Sequence, residues 1–304
     1  MKELVIIGSG PAGLTAAIYA KRAGLDFVLY DQDGYGGGQI ASAHEVQNFP
    51  GLGTLSGEAL SEAFLEHAGS LGVSVEFGEI TSVEQTEDGF LVKTSDGDDI
   101  ACKTVISATG AHPARLGIPG EEQFSGRGVS YCAICDGAFY KDKHVLVVGG
   151  GDTAVEDALY LSTICSKVTI IIRRDVFRAA ASRAELLKSQ ANVEVLYHTN
   201  LIEIKGDKDA ERFILEQNGE VTERTYDGAF IAVGVKPVSG YLENLDLERK
   251  DGYVIAGETC ETNIKGLYVA GDLRKKPLRQ VITAVADGGN AATAAAERIQ
   301  ATRV

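Results

Sequence analysis

The chain has 304 residues, room for two domains of ordinary size, and 44% of them are apolar, enough for packed cores. Its formal net charge is −14, which argues against nucleic acid and anionic membranes as partners, and no apolar run is long enough to cross a bilayer. Five cysteines, an odd count, argue against a structural disulfide framework and for the reducing cytoplasm, where a close cysteine pair is catalytic or metal-binding.

Residues 4–7, Leu-Val-Ile-Ile, form an apolar run of strand type that leads straight into a glycine motif. The N-terminus therefore reads as a buried strand and not as a signal peptide. Pro11 opens a helix over 11–24, with Leu14, Ala17, Ile18 and Ala20 inward and Gly24 at its end. A strand over 27–30 follows and stops at Asp31. The same βαβ pattern recurs with a strand over 144–148, a helix over 152–162 and a strand over 168–172. Glu87-Asp-Gly89, residues 96–99 and Asn218-Gly219 mark hairpin turns between short strands. The tail holds a strand over 267–270, then Gly271-Asp272 and an Ala-rich helix over about 279–299. A lone strand and helix cannot make a domain, so the tail should complete the first one. The pattern predicts an α/β fold of two Rossmann-like domains, the second inserted into the first. The first comprises 1–111 and 243–304, the second 112–242, with crossovers near His112-Pro113 and over 236–241.

Two glycine fingerprints carry the first chemical signal. Gly8-Ser-Gly10-Pro-Ala-Gly13 has a strand before it, a helix after it and Asp31 at the end of the next strand. Gly8 suits the tight turn, Gly10 lets backbone approach a pyrophosphate, Gly13 permits close helix packing, and Asp31 suits ribose hydroxyls. The alternative is a glycine-rich turn with no ligand. The second fingerprint is Gly149-Gly-Gly151-Asp152-Thr153-Ala154. Its second strand ends in Ile172-Arg173-Arg174, with Arg178 one turn on and no acid where a ribose 2′-hydroxyl would be held. Guanidinium groups there suit a 2′-phosphate, hence NADPH over NADH; the alternative is a solvated basic stretch paired with Asp175.

Between the fingerprints lies Cys132-Ala-Ile-Cys135, followed by Asp136-Gly137. A redox dithiol is the leading reading, its thiol activated at a helix N-terminus and its protons moved by the neighbouring Asp136 carboxyl. A zinc site would need two further ligands, and Cys102 and His144 lack the spacing, so no metal is expected. Two unrelated buried cysteines are the remaining alternative. Cys102, Cys165 and Cys260 lie in apolar stretches and read as core.

With these motifs in order the chain resembles the low-molecular-weight thioredoxin reductases of bacteria and archaea over nearly its full length. The likeness rests on both fingerprints, Gly37-Gly-Gln39, Asn48-Phe-Pro-Gly51, Ala108-Thr109-Gly110 and the CxxC with Asp136-Gly137. Arg173-Arg-Asp-Val-Phe-Arg178, Gly271-Asp272 and Arg279-Gln280 complete it. The resemblance implies FAD in the first domain, with Gln39, Asn48, Thr109, Gly110, Asp272, Arg279 and Gln280 beside Gly8, Gly10, Gly13 and Asp31. It implies NADPH in the second, at Gly149, Gly151, Asp152, Thr153, Ala154, Arg173, Arg174 and Arg178. Cys135 would face the flavin, Cys132 would attack a thioredoxin disulfide, and Asp136 would serve as acid and base. A homodimer, and rotation of the inserted domain about linkers near Pro113 and Gly240, are implied as well.

Two residues depart from the family. Ile172 stands where His is usual, removing a polar contact near the 2′-phosphate, and Ile134 stands where Thr is commoner. The expected function is NADPH-dependent reduction of thioredoxin through FAD and the Cys132/Cys135 dithiol. A sister flavin disulfide reductase fed by NADH or reduced ferredoxin is the nearest rival. A non-catalytic dinucleotide-binding regulator is a remote one, and it would not need a CxxC followed by Asp.

Overall fold

The computed structural model of the protein describes residues 1–32, 36–43 and 45–302. The chain divides into two units, Met1–His112 with Lys236–Val304, and Pro113–Val235. In the first, strand β1 (Lys2–Ile7) buries four consecutive residues, Leu4 to Ile7, as a strand covered on both faces must. Helix α1 (Pro11–Arg22) starts on Pro11, whose fixed φ suits a first turn and whose missing N–H costs nothing there. Gly24, at φ +69°, releases the chain into β2 (Phe27–Asp31), parallel to β1. Ser56 caps α2 (Gly57–Ser70), its hydroxyl accepting from the Ala59 N–H at 3.1 Å. Then come β3 (Glu76–Phe77), the hairpin β4 (Ile80–Thr86) and β5 (Gly89–Thr94), and the long β6 (Asp99–Ser107). The first half of β6 pairs antiparallel with β5, and its second half runs parallel to β1.

Strand β7 (Ala111–Pro113) leads into the second unit. Its elements are β8 (Val129–Ser130), the short α3 (Ala133–Asp136), β9 (His144–Val148), α4 (Asp152–Ser162), β10 (Lys167–Ile171), α5 (Ala181–Lys188) and β11 (Val193–Leu196). A meander of β12 (Thr199–Gly206), β13 (Ala210–Gln217) and β14 (Glu220–Thr225) precedes β15 (Gly228–Ile231). Among the described residues five strands form a parallel sheet in the order β11-β10-β9-β15-β8. The meander is a separate antiparallel sheet whose Leu201, Phe213 and Leu215 pack with Leu146, Val148 and Ile171 of the parallel one. Its β13–β14 turn holds Asn218 and Gly219 at φ +51° and +84°, the positive pair that a two-residue hairpin turn demands.

After β16 (Val235–Pro237), β17 (Arg249–Lys250) and β18 (Tyr253–Val254), the chain returns through β19 (Leu267–Val269) and α6 (Val281–Ala301). Strand β19 lies parallel to the second half of β6, so this unit has the core order β3-β2-β1-β6-β19. The two units thus share one strand order around their glycine turns, which is the α/β, Rossmann-like architecture expected. Helix α6 packs on α1 through small residues, Ala284, Ala291, Ala292 and Ala295 against Ala12, Ala16 and Ala20. A Cβ on Gly288 would collide with the Ala12 carbonyl, so the two helices meet there backbone to backbone.

The expected domain boundary at 242/243 needs correction: the division falls between Val235 and Lys236. Tyr241 and Leu242 are buried with Val5, Val83 and Val254 of the first unit. The Tyr241 hydroxyl is hydrogen-bonded to Ser107 and, at 3.0 Å, to Thr109. At the other crossover the division follows His112, one residue beyond the expected 111.

Candidate functional site

The first fingerprint occupies the turn between β1 and α1, at the point where the sheet order reverses. Gly8 sits at φ +100°, and a Cβ there would lie 2.6 Å from the Ala108 carbonyl oxygen. A Cβ on Gly13 would collide with the Gly8 carbonyl. Gly10, the N-cap of α1, has only the Gly38 Cα near its open side, at 3.8 Å, which leaves its backbone open to close approach. The Asp31 carboxylate accepts from both the N–H and the hydroxyl of Ser9 at 2.6 Å, which holds the turn in shape.

The other residues expected at this site fall into two groups. The Gln39 amide donates to the Ala111 carbonyl beside Gly110, and the Asn48 amide donates to Gln280 at 2.9 Å. Gln280 caps α6 in a reciprocal pair with Thr283. Thr109 points elsewhere, its hydroxyl donating to the Val238 carbonyl at 2.6 Å. Asp272 and Arg279 differ in having buried atoms that make no hydrogen bond, Oδ1 of Asp272, with Lys276 Nζ 4.0 Å away, and Nε and Nη2 of Arg279. Burial pushes the Asp272 carboxyl upward, against the pull of Lys276 and Arg279. The Arg279 guanidinium carbon lies over the Tyr253 ring, 3.8 Å from its centroid. An orphaned acceptor and two orphaned donors on one loop fit a ligand with hydroxyls and anionic or carbonyl oxygens, the chemistry of a flavin dinucleotide.

Sequence inspection missed the support of that loop. Asp287 of α6, buried, accepts from the Gly271 N–H at 3.0 Å, Lys276 at 2.9 Å and Arg274 at 2.8 Å. A single Asp in an Ala- and Gly-rich helix, after a loop with Arg and two Lys, was the available signal.

The second fingerprint lies between β9 and α4. Gly149, at φ +144°, could not carry a Cβ without meeting the Ala232 carbonyl, whereas Gly151 faces open space. Ala154 is buried under the turn. The Asp152 carboxylate accepts from the Ala180 N–H at 3.0 Å, and Gly150 O accepts from the Arg178 N–H at 2.7 Å. These bonds fasten the loop after β10 to the fingerprint and bring Arg173, Arg174 and Arg178 beside it, all exposed. Among the described residues none of the three makes an ion pair, Asp175 included. Thr153 is exposed in the first turn of α4. Ile172 is buried, its side chain within 3.4 Å of where a Cβ of Gly150 would stand, and so fills core space under the turn.

The cysteines of the CxxC are joined as a Cys132–Cys135 disulfide, with Cα atoms 5.3 Å apart. Cys132 is the N-cap of α3, and its sulfur accepts from the Cys135 N–H at 3.2 Å. A backbone donor aimed at that sulfur favours a thiolate there once the bond is opened. Cys135 and Ile134 are exposed. Gly137 seats the turn, since a Cβ there would crowd Tyr160, Ile164 and Leu161 at 3.0–3.2 Å. The Asp136 carboxylate accepts from the Ser130 hydroxyl at 2.6 Å. Burial, with Asp136 adding to it, pushes the Tyr140 phenol up to about 12. Cys102 and Cys260 are buried in the first unit, and burial pushes both thiols up to about 12; buried Cys165 of the second unit rises to about 11.

This arrangement can store an electron pair as a dithiol on a chain with two nucleotide turns. Residues 2–288 match the family described as pyridine nucleotide-disulphide oxidoreductase, whose chemistry uses a flavin and a pyridine nucleotide. Thioredoxin reductase of Bacillus subtilis is 40% identical over 95% of this chain and 92% of its own. That of Treponema pallidum is 38% identical over 98% and 97%. The crystal structure of thioredoxin reductase from Streptococcus pyogenes superposes with a TM-score of 0.94 at 38% identity, covering 99% of each chain. The chain belongs to the pyridine nucleotide-disulphide oxidoreductases and, among them, to the low-molecular-weight thioredoxin reductases.

Proposed function

We propose that the protein reduces the disulfide of a thioredoxin-type protein with electrons from NADPH, by way of FAD and the Cys132/Cys135 dithiol. The observation that carries this is the Cys132–Cys135 disulfide at a helix N-cap, with Asp136 next to it, in a chain with two nucleotide turns. Bound FAD would supply the relay between a two-electron hydride donor and the disulfide. In the first unit, Gly8, Gly10 and Gly13 would give the dinucleotide its close backbone approach, and Asp272 and Arg279 their unpartnered atoms. In the second, Arg173, Arg174 and Arg178 would bind the 2′-phosphate of NADPH.

With two electrons the Cys132–Cys135 bond breaks, leaving one thiolate and, after a proton from Asp136, one thiol. The Cys132 thiolate attacks one sulfur of the partner disulfide; a Cys132–partner bond forms, and the electron pair leaves on the other partner sulfur, which takes a proton from solvent. Cys135 then gives its proton to the Asp136 carboxylate and attacks Cys132 Sγ. The internal disulfide reforms, the Cys132–partner bond breaks, and the released partner thiolate takes a second proton from solvent, so the partner departs as a dithiol. The Cys135 N–H at 3.2 Å from Cys132 Sγ favours charge on Cys132, which suits it to the attacking role. A homodimer and a cytoplasmic setting go with this reading.

Anaerobic titration of the purified flavoprotein tests the donor. NADPH should bleach the flavin band at far lower concentration than NADH. An equal response to both would remove the 2′-phosphate preference. No response to either, in protein that retains flavin, would overturn NADPH as donor and favour a ferredoxin-fed enzyme. Cys135→Ser should still bleach with NADPH but lose disulfide reduction.

A further inference from the structure

We propose that Ser130 is a positioning residue of the dithiol, its hydroxyl locking the Asp136 carboxylate to the backbone of Cys132. The proposal rests on Asp136 acting as the acid and base. Ser130 ends β8 and is buried. Its Oγ donates to Asp136 Oδ2 at 2.6 Å and accepts from the Cys132 N–H at 3.1 Å. The Cys132 carbonyl, at 3.4 Å, is too distant to compete for the one hydroxyl proton. One hydroxyl therefore joins three things: the end of a strand in the parallel sheet, the backbone of the attacking cysteine, and the carboxylate that moves the proton.

The chemistry needs that link. Asp136 closes a helix of only four residues, which by itself gives its side chain little support. A carboxylate that must deliver a proton when the S–S bond opens, and recover it from Cys135 when the mixed disulfide breaks, works at one place only. A small displacement of such a group slows transfer severalfold or more. The strand end supplies a fixed point, and a hydrogen bond to a charged acceptor is the strong kind. The Ser130 hydroxyl bonds the Asp136 carboxylate and the Cys132 backbone N–H, so it acts through Asp136 and not as a catalytic residue.

The test uses the flavin-loaded enzyme with NADPH and an oxidised bacterial thioredoxin, comparing Ser130→Ala, Ser130→Thr, Asp136→Asn and the Ser130→Ala/Asp136→Asn double variant. Ser130→Ala should lower kcat about tenfold, the loss of one charge-assisted hydrogen bond, with KM for thioredoxin within about twofold. Thr keeps the hydroxyl and suits a strand, so Ser130→Thr should recover most of kcat. The double variant should be no slower than Asp136→Asn alone, because no proton-moving carboxylate is left for Ser130 to hold against Cys132. If Ser130→Ala folds poorly, judged by its flavin absorption and melting, single-turnover rates on its folded, flavin-loaded fraction read the same loss. Full activity in Ser130→Ala with a slowed Asp136→Asn would overturn the proposal. So would a Ser130→Thr variant as slow as Ala, or a double variant slowed by the product of the two single losses. Full activity in Asp136→Asn would instead overturn the acid–base role on which the proposal rests.

Discussion

Single residues in this protein act mainly by holding backbone in place. Asp287 shows this most fully. Its carboxylate is buried on α6 and accepts from Gly271, Arg274 and Lys276, with one Oδ2 bond of 3.2 Å from Arg274 Nε beside the shorter ones. Gly271 immediately precedes Asp272, so the charge fixes the loop that carries the unpartnered Asp272 and Arg279 atoms. Removing one member of a buried ionic cluster strands the others, at a cost of about 3–5 kcal/mol. Asp287→Asn should therefore lower the melting temperature by roughly 5–10 °C. It should also loosen flavin, read as free-flavin fluorescence at a lower temperature than in the parent. Melting within a degree of the parent would mean that Arg274 and Lys276 find equivalent acceptors. The sequence signal for this, a single Asp in an Ala-rich helix, is a weak one, because such an Asp reads equally well as a solvent-facing position. Ser130 was hidden for a related reason: one Ser two residues before a cysteine has no pattern, and its role exists only once β8 brings it to Asp136.

At the scale of elements the local signals were strong. Strand, glycine turn and helix recur in both units because each step has its own chemical cue, and Asn218-Gly219 specified its hairpin through positive φ. The predicted helix over 152–162 coincides with α4 (Asp152–Ser162). What the periodicity did not reveal is the charge that α4 carries against its packed side. Burial, with Glu156 adding to it, raises the Asp157 carboxyl from its ordinary value near 3.8 to about 7. Its folded pKa is above the unfolded one, so its contribution to stability is complete below about pH 4 and is lost as pH rises through 7. The penalty for the ionised form is up to roughly 4 kcal/mol above that range. His144 works in the opposite sense: burial lowers its pKa, so the fold loses stability as pH falls below 6.5. Asp157→Asn isolates the first effect. The variant should match the parent at pH 4, exceed it at pH 8, and leave the His144 limb unchanged. Chemical denaturation at several pH values checks this, and identical stability at pH 8 would show that the carboxylate reaches water at no cost.

For the whole molecule, the architecture was readable and one seam was not. Tyr241 read as crossover and Leu242 as the end of the inserted domain in sequence, since the strands that bury them, β1, β4 and β18, are distant along the chain or too short to announce themselves. The charge distribution is a second molecular property that only position makes meaningful. Against a net charge of −14, Arg173, Arg174 and Arg178 form an exposed basic group beside Gly149–Gly151, without an acidic partner among the described residues. An unpaired cluster inside an acidic field repels nothing anionic locally and leaves its donors available, which is the arrangement a 2′-phosphate requires. Ile172, buried below Gly150, takes no part in that charge, so the departure from His alters packing beneath the turn while the guanidinium groups remain. Arg173→Ala/Arg174→Ala should raise KM for NADPH about 100-fold, from two lost charge-assisted bonds, and change KM for NADH less than about threefold. Added salt should weaken NADPH in the parent and have a smaller effect in the variant, where only the Arg178 pair is left to screen. If both nucleotides weaken equally, the arginines shape the loop fastened by Asp152 and Gly150 and do not read the phosphate.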